Sequence, residues 1–381
     1  MKQTEFTIIG GGIAGLTTAI ALQQTGIKAA VFEAAPVIRP VGAGLVLAAN
    51  AMKAYQHLGI AEEIIRAGTR LKQFSIYNEH GRMISHTDSE KPSLKYGINN
   101  FTIHRAELHR VLGSRLEPGQ IRLGKRAIDI VPDADGYRVL FEDNREHYTK
   151  YLIVADGIHS PIRKKLLPQS RIRYSGYTCW RGIADNRRLQ VRESSETWGL
   201  KGRFGIAPLA GDIIYWYACI NAPQNNPAFR NYTVEDLHHL FKDFHEPVGE
   251  IILQTRKDQL IWDDICDLEP IGQFAFGNLV LIGDAAHATT PNLGQGACQA
   301  IEDAVMLAAD LKSHSMVADA FRSFEQKRMK RTRRIVELSW QMGKIAQTEN
   351  PMLAGIRNTL FRLMPAAVNE RQLKMLYEVE F

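Results

Sequence analysis

The chain has 381 residues, of which 45% are apolar and 23% are charged. This length exceeds one ordinary hydrophobic core, and the composition is typical of a globular chain with two domains that share an interface. Lysine and arginine outnumber the acidic residues by only 47 to 41, which gives a formal charge of +6. So small an excess suits an anionic ligand but does not favour a nucleic-acid partner.

The cysteines and the apolar runs indicate the compartment. The four cysteines form no CxxC pair and no cluster with histidine at metal spacing, which argues against a disulfide framework and against a metal site. A strand-like run starts at Phe6, close to the initiator methionine, so we expect no signal or transit peptide. No uncharged apolar stretch approaches the roughly 20 residues that cross a bilayer. We therefore expect a soluble cytoplasmic protein without stable membrane insertion, either a monomer or a homodimer.

The first 33 residues predict a strand, a tight turn, a helix and a second strand. Phe6–Ile9 and Ala29–Phe32 are short apolar runs, as expected for strands covered on both faces. The turn between them has the GxGxxG spacing of the dinucleotide fingerprint, with glycines at positions 10, 12 and 15. Glu33 follows the second strand, close to the spacing at which a carboxylate reaches a ribose hydroxyl. This context favours a dinucleotide site over an ordinary glycine turn.

Two later segments repeat the pattern of a buried strand followed by an acidic residue. The run 151–155 leads into Asp156 and Gly157, and the run 279–282 leads into Gly283 and Asp284. Ligands of open α/β sheets bind at such strand ends. The second segment continues as PNLGQG and then becomes helical at about Ala297, which is compatible with a ligand site and equally with a plain strand-to-helix connection.

The middle of the chain has a different texture. From about Arg173 to Leu268 it is rich in aromatic and β-branched residues, which predicts a mostly β substrate domain. We expect a Rossmann-type α/β domain made of residues 1–72, 100–168 and 270–340. The substrate domain would comprise residues 73–99 and 169–269, and residues 341–381 would form a C-terminal helical segment.

The glycine fingerprint, the Asp156-Gly157-x-x-Ser160-x-x-Arg163 stretch and the GDAAH…PxxGQG segment occur together in this order. In this combination the chain resembles the class A FAD-dependent aromatic monooxygenases, the para-hydroxybenzoate and salicylate hydroxylase type. The nearer resemblance is to the salicylate/urate hydroxylase branch. It is carried by residues 39–44 (RPVGAG), Asn50, residues 104–108 (HRAEL) and residues 174–182 (YSGYTCWRG).

The resemblance implies a bound FAD and a reductant, NAD(P)H, that visits a shared cleft. It gives cofactor-binding roles to Gly10, Gly12, Ala14, Gly15, Glu33, Arg39, Gly44, Arg105, Asp156, Gly157, Asp284, Gly294, Gln295, Gly296 and Ala297. It gives roles at the reacting centre to Arg203, Tyr215 and Pro291. The alternative for Arg203 is a solvent-facing position at the end of a strand.

The implied reaction is hydroxylation of a small aromatic or heterocyclic substrate by a flavin C(4a)-hydroperoxide, with NAD(P)H and O₂ consumed. An epoxidase, a tetracycline-type inactivating monooxygenase, a flavin reductase that inserts no oxygen and a flavin-binding protein without oxygenation activity remain alternatives.

Three features favour structural interpretations. The resemblance gives His287 no catalytic role, so we interpret it as structural. Cys298 stands where the family usually has asparagine, and buried cysteines are usually small packing groups. The basic run 327–334 has apolar residues at helical spacing, which predicts a solvated helix face rather than a nucleic-acid site.

Overall fold

The computed structural model describes residues 5–37, 44–88 and 99–381, without the side chains of residues 366, 367, 369 and 372. The strands are β1 Phe6–Ile9, β2 Ala29–Phe32, β3 Gly44–Leu47, β4 Thr69–Leu71, β5 Gln73–Asn78, β6 Met83–Asp88, β7 Asn100–His104, β8 Ile121–Arg122, β9 Ala127–Asp133, β10 Gly136–Phe141, β11 Glu146–Thr149, β12 Tyr151–Val154, β13 Ile172–Asp185, β14 Ser194–Gly199, β15 Gly202–Leu209, β16 Ile213–Asn221, β17 Ile261–Leu268, β18 Ala275–Phe276 and β19 Leu279–Leu281.

The helices in the described ranges are α1 Ile13–Gln24, α2 Ala49–His57, α3 Ala61–Ala67, α4 Arg105–Gly113, α5 Pro161–Leu166, α6 Val234–Phe241, α7 Val248–Leu253, α8 Asp284–His287, α9 Gly296–Ser313, α10 Val317–Ala346, α11 Pro351–Arg362 and α12 Ala366–Tyr377. None of these helices is long and apolar enough to pass through a lipid bilayer. The mixture of α and β elements confirms the predicted fold class.

A six-stranded sheet of order β18-β19-β12-β1-β2-β8 forms the first layer. Its central strands are parallel, and β1, β2, β12 and β19 are almost wholly apolar and buried. Such runs require cover on both faces, and α1 and α9 pack together in the same core. Ile9 pairs with Val154, and Val154 pairs with Leu281. The three predicted motifs therefore start at one edge of the sheet, where three adjacent parallel strands end.

A seven-stranded sheet of order β17-β13-β16-β15-β14-β5-β6 forms the second layer. Successive side chains on a strand point to opposite faces. On one face, Phe204, Ile206 and Trp216 pack with apolar residues of α6 and α7 in a second core. On the other face, alternate residues of β15 and β16 meet β3 and the segment between α8 and α9. This second face adjoins the edge at which the motifs of the first sheet lie.

Candidate active site

Main-chain atoms pack so closely against the glycine turn after β1 that two of its positions have no room for a side chain. Gly10 has a φ of +104°, and a Cβ on it would lie 2.2 Å from the carbonyl oxygen of Ala155. A Cβ on Gly15 would lie 1.9 Å from the carbonyl oxygen of Gly10. A Cβ on Gly12 would meet no heavy atom of the described residues within 4 Å. Gly10 and Gly15 therefore pack the turn, and Gly12 leaves open space beside the N-terminus of α1.

Glu33 lies at the end of β2 and is fixed by backbone on both sides. Its Oε2 accepts a hydrogen bond of 2.6 Å from the Gly11 N–H, and its Oε1 accepts one of 2.8 Å from the Ala35 N–H. Each carboxylate oxygen can accept a second hydrogen bond. The side chain is thus held beside the glycine turn with capacity for a hydroxyl donor.

A groove with a volume of about 540 Å³ opens at this edge of the sheet. It is lined by the glycine turn and by Glu33, Arg105, His109, Asp156 and Gly157. Both carboxylate oxygens of Asp156 and Nε2 of His109 are buried without a hydrogen-bond partner among the described residues. Burial raises the pKa of Asp156 to about 6 and lowers the pKa of His109. Buried polar atoms without partners indicate a ligand that completes their hydrogen bonds.

Asp284 follows β19, at the strand next to the one that carries Asp156. Its side chain is accessible to solvent, yet desolvation raises the pKa of its carboxyl against the opposing charges of His287 and Arg105. Arg105, the first residue of α4, is close enough to act electrostatically on this carboxyl.

Ala14 connects the first motif to the third. A Cβ on Gly283, which has a φ of +56°, would lie 2.8 Å from the Cβ of Ala14. Ala14 is buried in α1. In the described structure its side chain therefore serves the close packing of α1 against the start of α8.

The segment between α8 and α9 faces β3. Pro291 is exposed at the start of a short 3-10 turn, and Gly294 has a φ of +62°. A Cβ on Gly294 would lie 3.8 Å from the Cβ of Val46. A Cβ on Gly44 would lie 2.7 Å from the Cβ of Tyr215 on β16. The segment therefore packs against β3, and β3 packs against the second sheet.

The N-terminus of α9 follows directly after this segment. Gln295 is buried, and its Oε1 accepts hydrogen bonds of 3.0 Å from Asn50 and from Gln299. No side chain among the described residues caps the helix, which begins at Gly296 and Ala297. The first N–H groups of an uncapped helix attract negative charge.

Cys298 joins β3 to α9. The Ala48 N–H donates to its Sγ at 3.4 Å, and Sγ lies 3.6 Å from the carbonyl oxygen of Val46. Burial raises the pKa of the thiol to about 12, so the thiol stays protonated. These contacts give Cys298 a packing position between β3 and α9.

Arg203 is buried on β15, which excludes the solvent-facing alternative. Its side chain retains only 4% exposure. Nη1 donates to Oε1 of Glu196 at 3.1 Å, and Nη2 donates to Oδ1 of Asn292 at 2.5 Å. The guanidinium also lies over the Tyr177 ring, 5.1 Å from its centroid. The Nε–H is buried and has no partner among the described residues.

Glu196 is a site residue that sequence reasoning missed. Besides Arg203, it accepts hydrogen bonds from the Tyr217 hydroxyl at 2.7 Å and from the Trp198 indole at 3.0 Å. No motif marks Glu196, because its partners lie on three strands that pair only in the folded sheet. Asn292 was also missed, although it lies inside the PNLGQG segment.

A buried ionic network joins α9 to α10. Arg328 is fully buried and donates to Glu302 at 2.5 Å and to Asp303 at 2.6 Å, both of which are buried. His287 also bonds to Asp303 at 2.6 Å, which is the structural position expected for it. Burial alone would raise the pKa of Asp303, but His287 and Arg328 lower it to about 2.

The solvated-face interpretation of the basic run 327–334 is therefore wrong for Arg328. It is also wrong for Arg331, which is half-buried and pairs with Glu302 at 2.8 Å. The remaining cations of the run, Lys327, Lys330, Arg333 and Arg334, are exposed as expected.

Of the predicted site residues, only Arg39 lies outside the described residues. The others lie at the carboxyl ends of the strands of the first sheet, in the first turns of α1, α4, α8 and α9, on β3, on the segment before α9, or on the facing surface of the second sheet.

Residues 3–339 match the FAD binding domain family. The chain belongs to this family. It is 37% identical over 358 residues to the aurachin C monooxygenase/isomerase of Stigmatella aurantiaca, with 94% of this chain and 93% of the relative covered. It is 34% identical to the 2-heptyl-3-hydroxy-4(1H)-quinolone synthase of Pseudomonas aeruginosa, with 97% of each covered. The crystal structure of Klebsiella pneumoniae HpxO with FAD and uric acid superposes with a TM-score of 0.89 at 27% identity, covering 98% of this chain and 96% of the other.

These comparisons confirm the predicted class, so the chain is a flavoprotein monooxygenase that binds FAD. The groove fits this cofactor. The open space at Gly12 lies beside free helix N–H groups that suit a pyrophosphate. Glu33 offers acceptors for ribose hydroxyls, and the unpartnered oxygens of Asp156 lie in the same groove.

Proposed function

We propose that this enzyme uses NAD(P)H and O₂ to hydroxylate a small aromatic or nitrogen-heterocyclic substrate. The observation that carries the proposal is the contact between Arg203 and Asn292. It sets a buried cation of the second sheet directly against the segment that precedes α9. Relatives named for the production of a hydroxyquinolone and for monooxygenation of aurachin C support a fused heterocycle as the substrate class.

FAD, when bound, supplies the transfer of electrons from NAD(P)H to oxygen and the activated oxygen atom. We propose that it is held by the cofactor-binding residues predicted from the sequence, including Arg39 in the part of the chain not described. Asp156 and Gly157 would also face the reductant. Pro291 and Gly294 to Ala297 would flank the reacting ring of the cofactor.

Arg203 is proposed to bind an oxygen of the substrate. Burial alone would lower its pKa, but Glu196 raises it well above its ordinary value, so the guanidinium stays charged. Its Nε–H can then donate to a phenolate-like or enolate-like oxygen and stabilise the electron-rich form of the ring. Burial raises the pKa of Tyr217 strongly, so its hydroxyl remains a donor to Glu196 and orients the pair.

Tyr215 is proposed to pack against the substrate ring and to exclude water. It is half-buried beside Gly44, at the place where β3 meets the second sheet. Exclusion of bulk water protects activated oxygen from release as hydrogen peroxide. We further propose the domain division predicted from the sequence, a cytoplasmic location, and a monomer or homodimer as the working form.

The test is a screen of FAD-loaded enzyme against quinolones, purines and phenolic acids. NAD(P)H consumption, hydrogen peroxide and hydroxylated product are measured together. We expect one class to accelerate NAD(P)H consumption with nearly one product per NAD(P)H and little peroxide. Acceleration with stoichiometric peroxide and no product from every class would contradict the proposal.

Arg203→Met tests the role of the guanidinium. We expect a loss of about 100-fold in kcat/KM and a shift from product to peroxide, because a charge-assisted hydrogen bond is lost. FAD affinity should stay unchanged. The matched control is Lys201→Met, an exposed cation on the same hairpin that pairs with Asp243 at the surface.

A further inference from the structure

Two thiols lie side by side on the facing surface of the second sheet. Cys179 on β13 and Cys219 on β16 are directly opposite each other in the antiparallel register. Cys219 is in turn opposite Arg203 on β15. The two cysteines pack with Tyr177 and Tyr217. Because opposite residues on neighbouring strands share one face of a sheet, the two cysteines continue the row of side chains that contains Arg203.

The pair has the spacing that a disulfide requires. Opposite residues of antiparallel strands have Cα atoms about 4.5–5.5 Å apart, and a disulfide spans about 4.4–6.8 Å between Cα atoms. Cys179 and Cys219 are free thiols in the structure, and both are buried. The strands that carry them are already paired, so a bond between the two sulfurs needs little movement of the main chain.

The two thiols differ in their tendency to ionise. A hydrogen bond from the Cys219 thiol lowers the pKa of Cys179. The charges of Arg181 and Arg203 lower it further, while burial and the charge of Asp263 oppose this shift. Burial and the hydrogen bond to Cys179 raise the pKa of Cys219 well above its ordinary value. Since the thiolate is the form of cysteine that attacks an oxidant, the pair combines a nucleophilic sulfur with a protonated partner.

We propose that Cys179 and Cys219 form an oxidative modification site, which hydrogen peroxide converts to a disulfide. The Cys179 thiolate attacks peroxide, so that an S–O bond forms, the O–O bond breaks and hydroxide leaves. The Cys219 sulfur then attacks the sulfenic sulfur of Cys179. An S–S bond forms, the S–O bond breaks, and the departing hydroxide takes the Cys219 proton and leaves as water. The two sulfurs together lose two electrons, and peroxide gains them.

The position of the pair selects peroxide as the oxidant. Cys179 and Cys219 retain only 3% and 1% of their exposure, which is too little for contact with a bulky thiol or disulfide reagent. Hydrogen peroxide is little larger than water, and it is the product expected when water reaches activated oxygen. The supply of peroxide within the enzyme rests on the proposed function, whereas the chemistry of the thiol pair does not. The disulfide would record uncoupled turnover beside Arg203.

The experiment maps the thiols of FAD-loaded enzyme after exposure to hydrogen peroxide. Catalase stops the oxidation, the remaining thiols are alkylated in denaturant, and tryptic peptides are analysed by mass spectrometry without reductant. Trypsin leaves Cys179 in residues 174–181 and Cys219 in residues 204–230, so the disulfide joins two peptides. We expect these linked peptides to form at least about tenfold faster than any oxidation product of Cys266. Cys266 is more exposed, but burial and two nearby carboxylates raise its pKa.

Single variants separate the two steps. Cys219→Ala removes the second sulfur, so peroxide should leave a sulfenic acid on Cys179, which dimedone labels. This step should be slower than in the wild type, because the hydrogen bond that lowers the pKa of Cys179 is lost. Cys179→Ala should give neither the dimedone label nor the linked peptides. Cys266→Ala is the matched control and should form the linked peptides like the wild type.

Two outcomes would overturn the proposal. One is a wild type in which peroxide produces no linked peptides, and the other is faster oxidation of Cys266 than of the pair. A second sample receives NAD(P)H in air instead of peroxide. Linked peptides with added peroxide but not with NAD(P)H would assign the site and place its oxidant outside the enzyme. FAD content and melting temperature, measured before oxidation, identify any variant that is misfolded, and the map of the wild type does not depend on the variants.

Discussion

The groove at the edge of the first sheet and the facing surface of the second sheet are built from different kinds of chemical group. At the glycine turn the groove presents main chain, with glycines at strand ends and free N–H groups at the start of α1. The facing surface of the second sheet is mostly side chain, with Arg203 and Glu196 held by tyrosines and an asparagine. The groove should therefore be sensitive to added volume, and the sheet should be sensitive to the loss of a charge.

This difference also separates two kinds of binding. Backbone donors recognise a feature that many ligands share, such as a pyrophosphate. Side-chain charges fixed in a buried network recognise one arrangement of substrate atoms and leave a penalty when that arrangement is absent. Substrate selection should therefore depend on the sheet, while FAD affinity depends on the turns.

The largest expected effect is a loss of stability when the ionic network between α9 and α10 is broken. Arg328→Met removes the fully buried cation from Glu302 and Asp303, which keep only Arg331 and His287 as partners, and breaking such a buried pair typically costs about 3–5 kcal/mol. Urea unfolding of FAD-free protein measures this cost. Lys330→Met, on the exposed face of the same helix, should change stability by about 0.5 kcal/mol or less. If Arg328→Met also changes the free energy of unfolding by about 0.5 kcal/mol or less, the ion pairs of Arg328 do not stabilise the fold.

Two glycine variants should separate folding from cofactor binding. Gly15→Ala places a Cβ 1.9 Å from a backbone oxygen and should cost about 3 kcal/mol of stability. Gly12→Ala places its Cβ in open space, and the φ of −74° at this residue suits alanine. It should fold normally but lose at least about tenfold in FAD affinity, equivalent to about 1.4 kcal/mol.

Thermal unfolding without FAD and fluorescence titration with FAD give the two quantities. Normal FAD affinity in Gly12→Ala would mean that the pyrophosphate does not approach this turn.

The groove was the part of the molecule that the sequence could predict. The strands Phe6–Ile9 and Ala29–Phe32 have the predicted bounds, and α9 begins one residue before the predicted position. These elements are local, and their glycines are required by backbone geometry that few other residues can adopt. Because parallel strands end at one edge, the order of the motifs was enough to bring them together.

The side-chain networks could not be predicted in the same way. Glu196 is one acidic residue among several in its stretch, and its role depends on pairing among β14, β15 and β16. Arg328 lies in a run of six cations, and only the position of Glu302 and Asp303 on another helix decides that it points inward. Local pattern carries no information about partners that tertiary packing selects.

Glu196→Gln should disturb the sheet and leave the groove intact. Glutamine keeps an acceptor for Tyr217 but removes the negative charge that pairs with Arg203. A hydrogen bond to a charged group contributes about 1.5–3 kcal/mol, and part of this contribution is lost. We expect kcat/KM to fall by about 10- to 100-fold, mostly through KM, with more peroxide per NAD(P)H. FAD affinity should not change. The exposed Glu193→Gln is the matched control, and an equal fall in that variant would remove Glu196 from the site.

The smallest expected effect is a pH dependence of stability that arises from the Asp156 carboxyl in the groove. Burial raises the pKa of Asp156 to about 6, above its value of about 4 in an unfolded chain, so the folded protein holds this proton more tightly. Stability from this group is therefore present below pH 4 and is lost as the pH rises through 6. Without FAD, the free energy of unfolding of the wild type minus that of Asp156→Asn should fall by about 1–2 kcal/mol between pH 4 and pH 7.

Asp185→Asn provides a control of opposite sign, because Arg187 lowers the pKa of Asp185 to about 2. Its contribution is present above pH 4 and is lost as the pH falls toward 2. The two differences should therefore change in opposite directions and in separate pH ranges. A flat difference for Asp156→Asn would mean that its carboxylate is solvated or already paired without the cofactor.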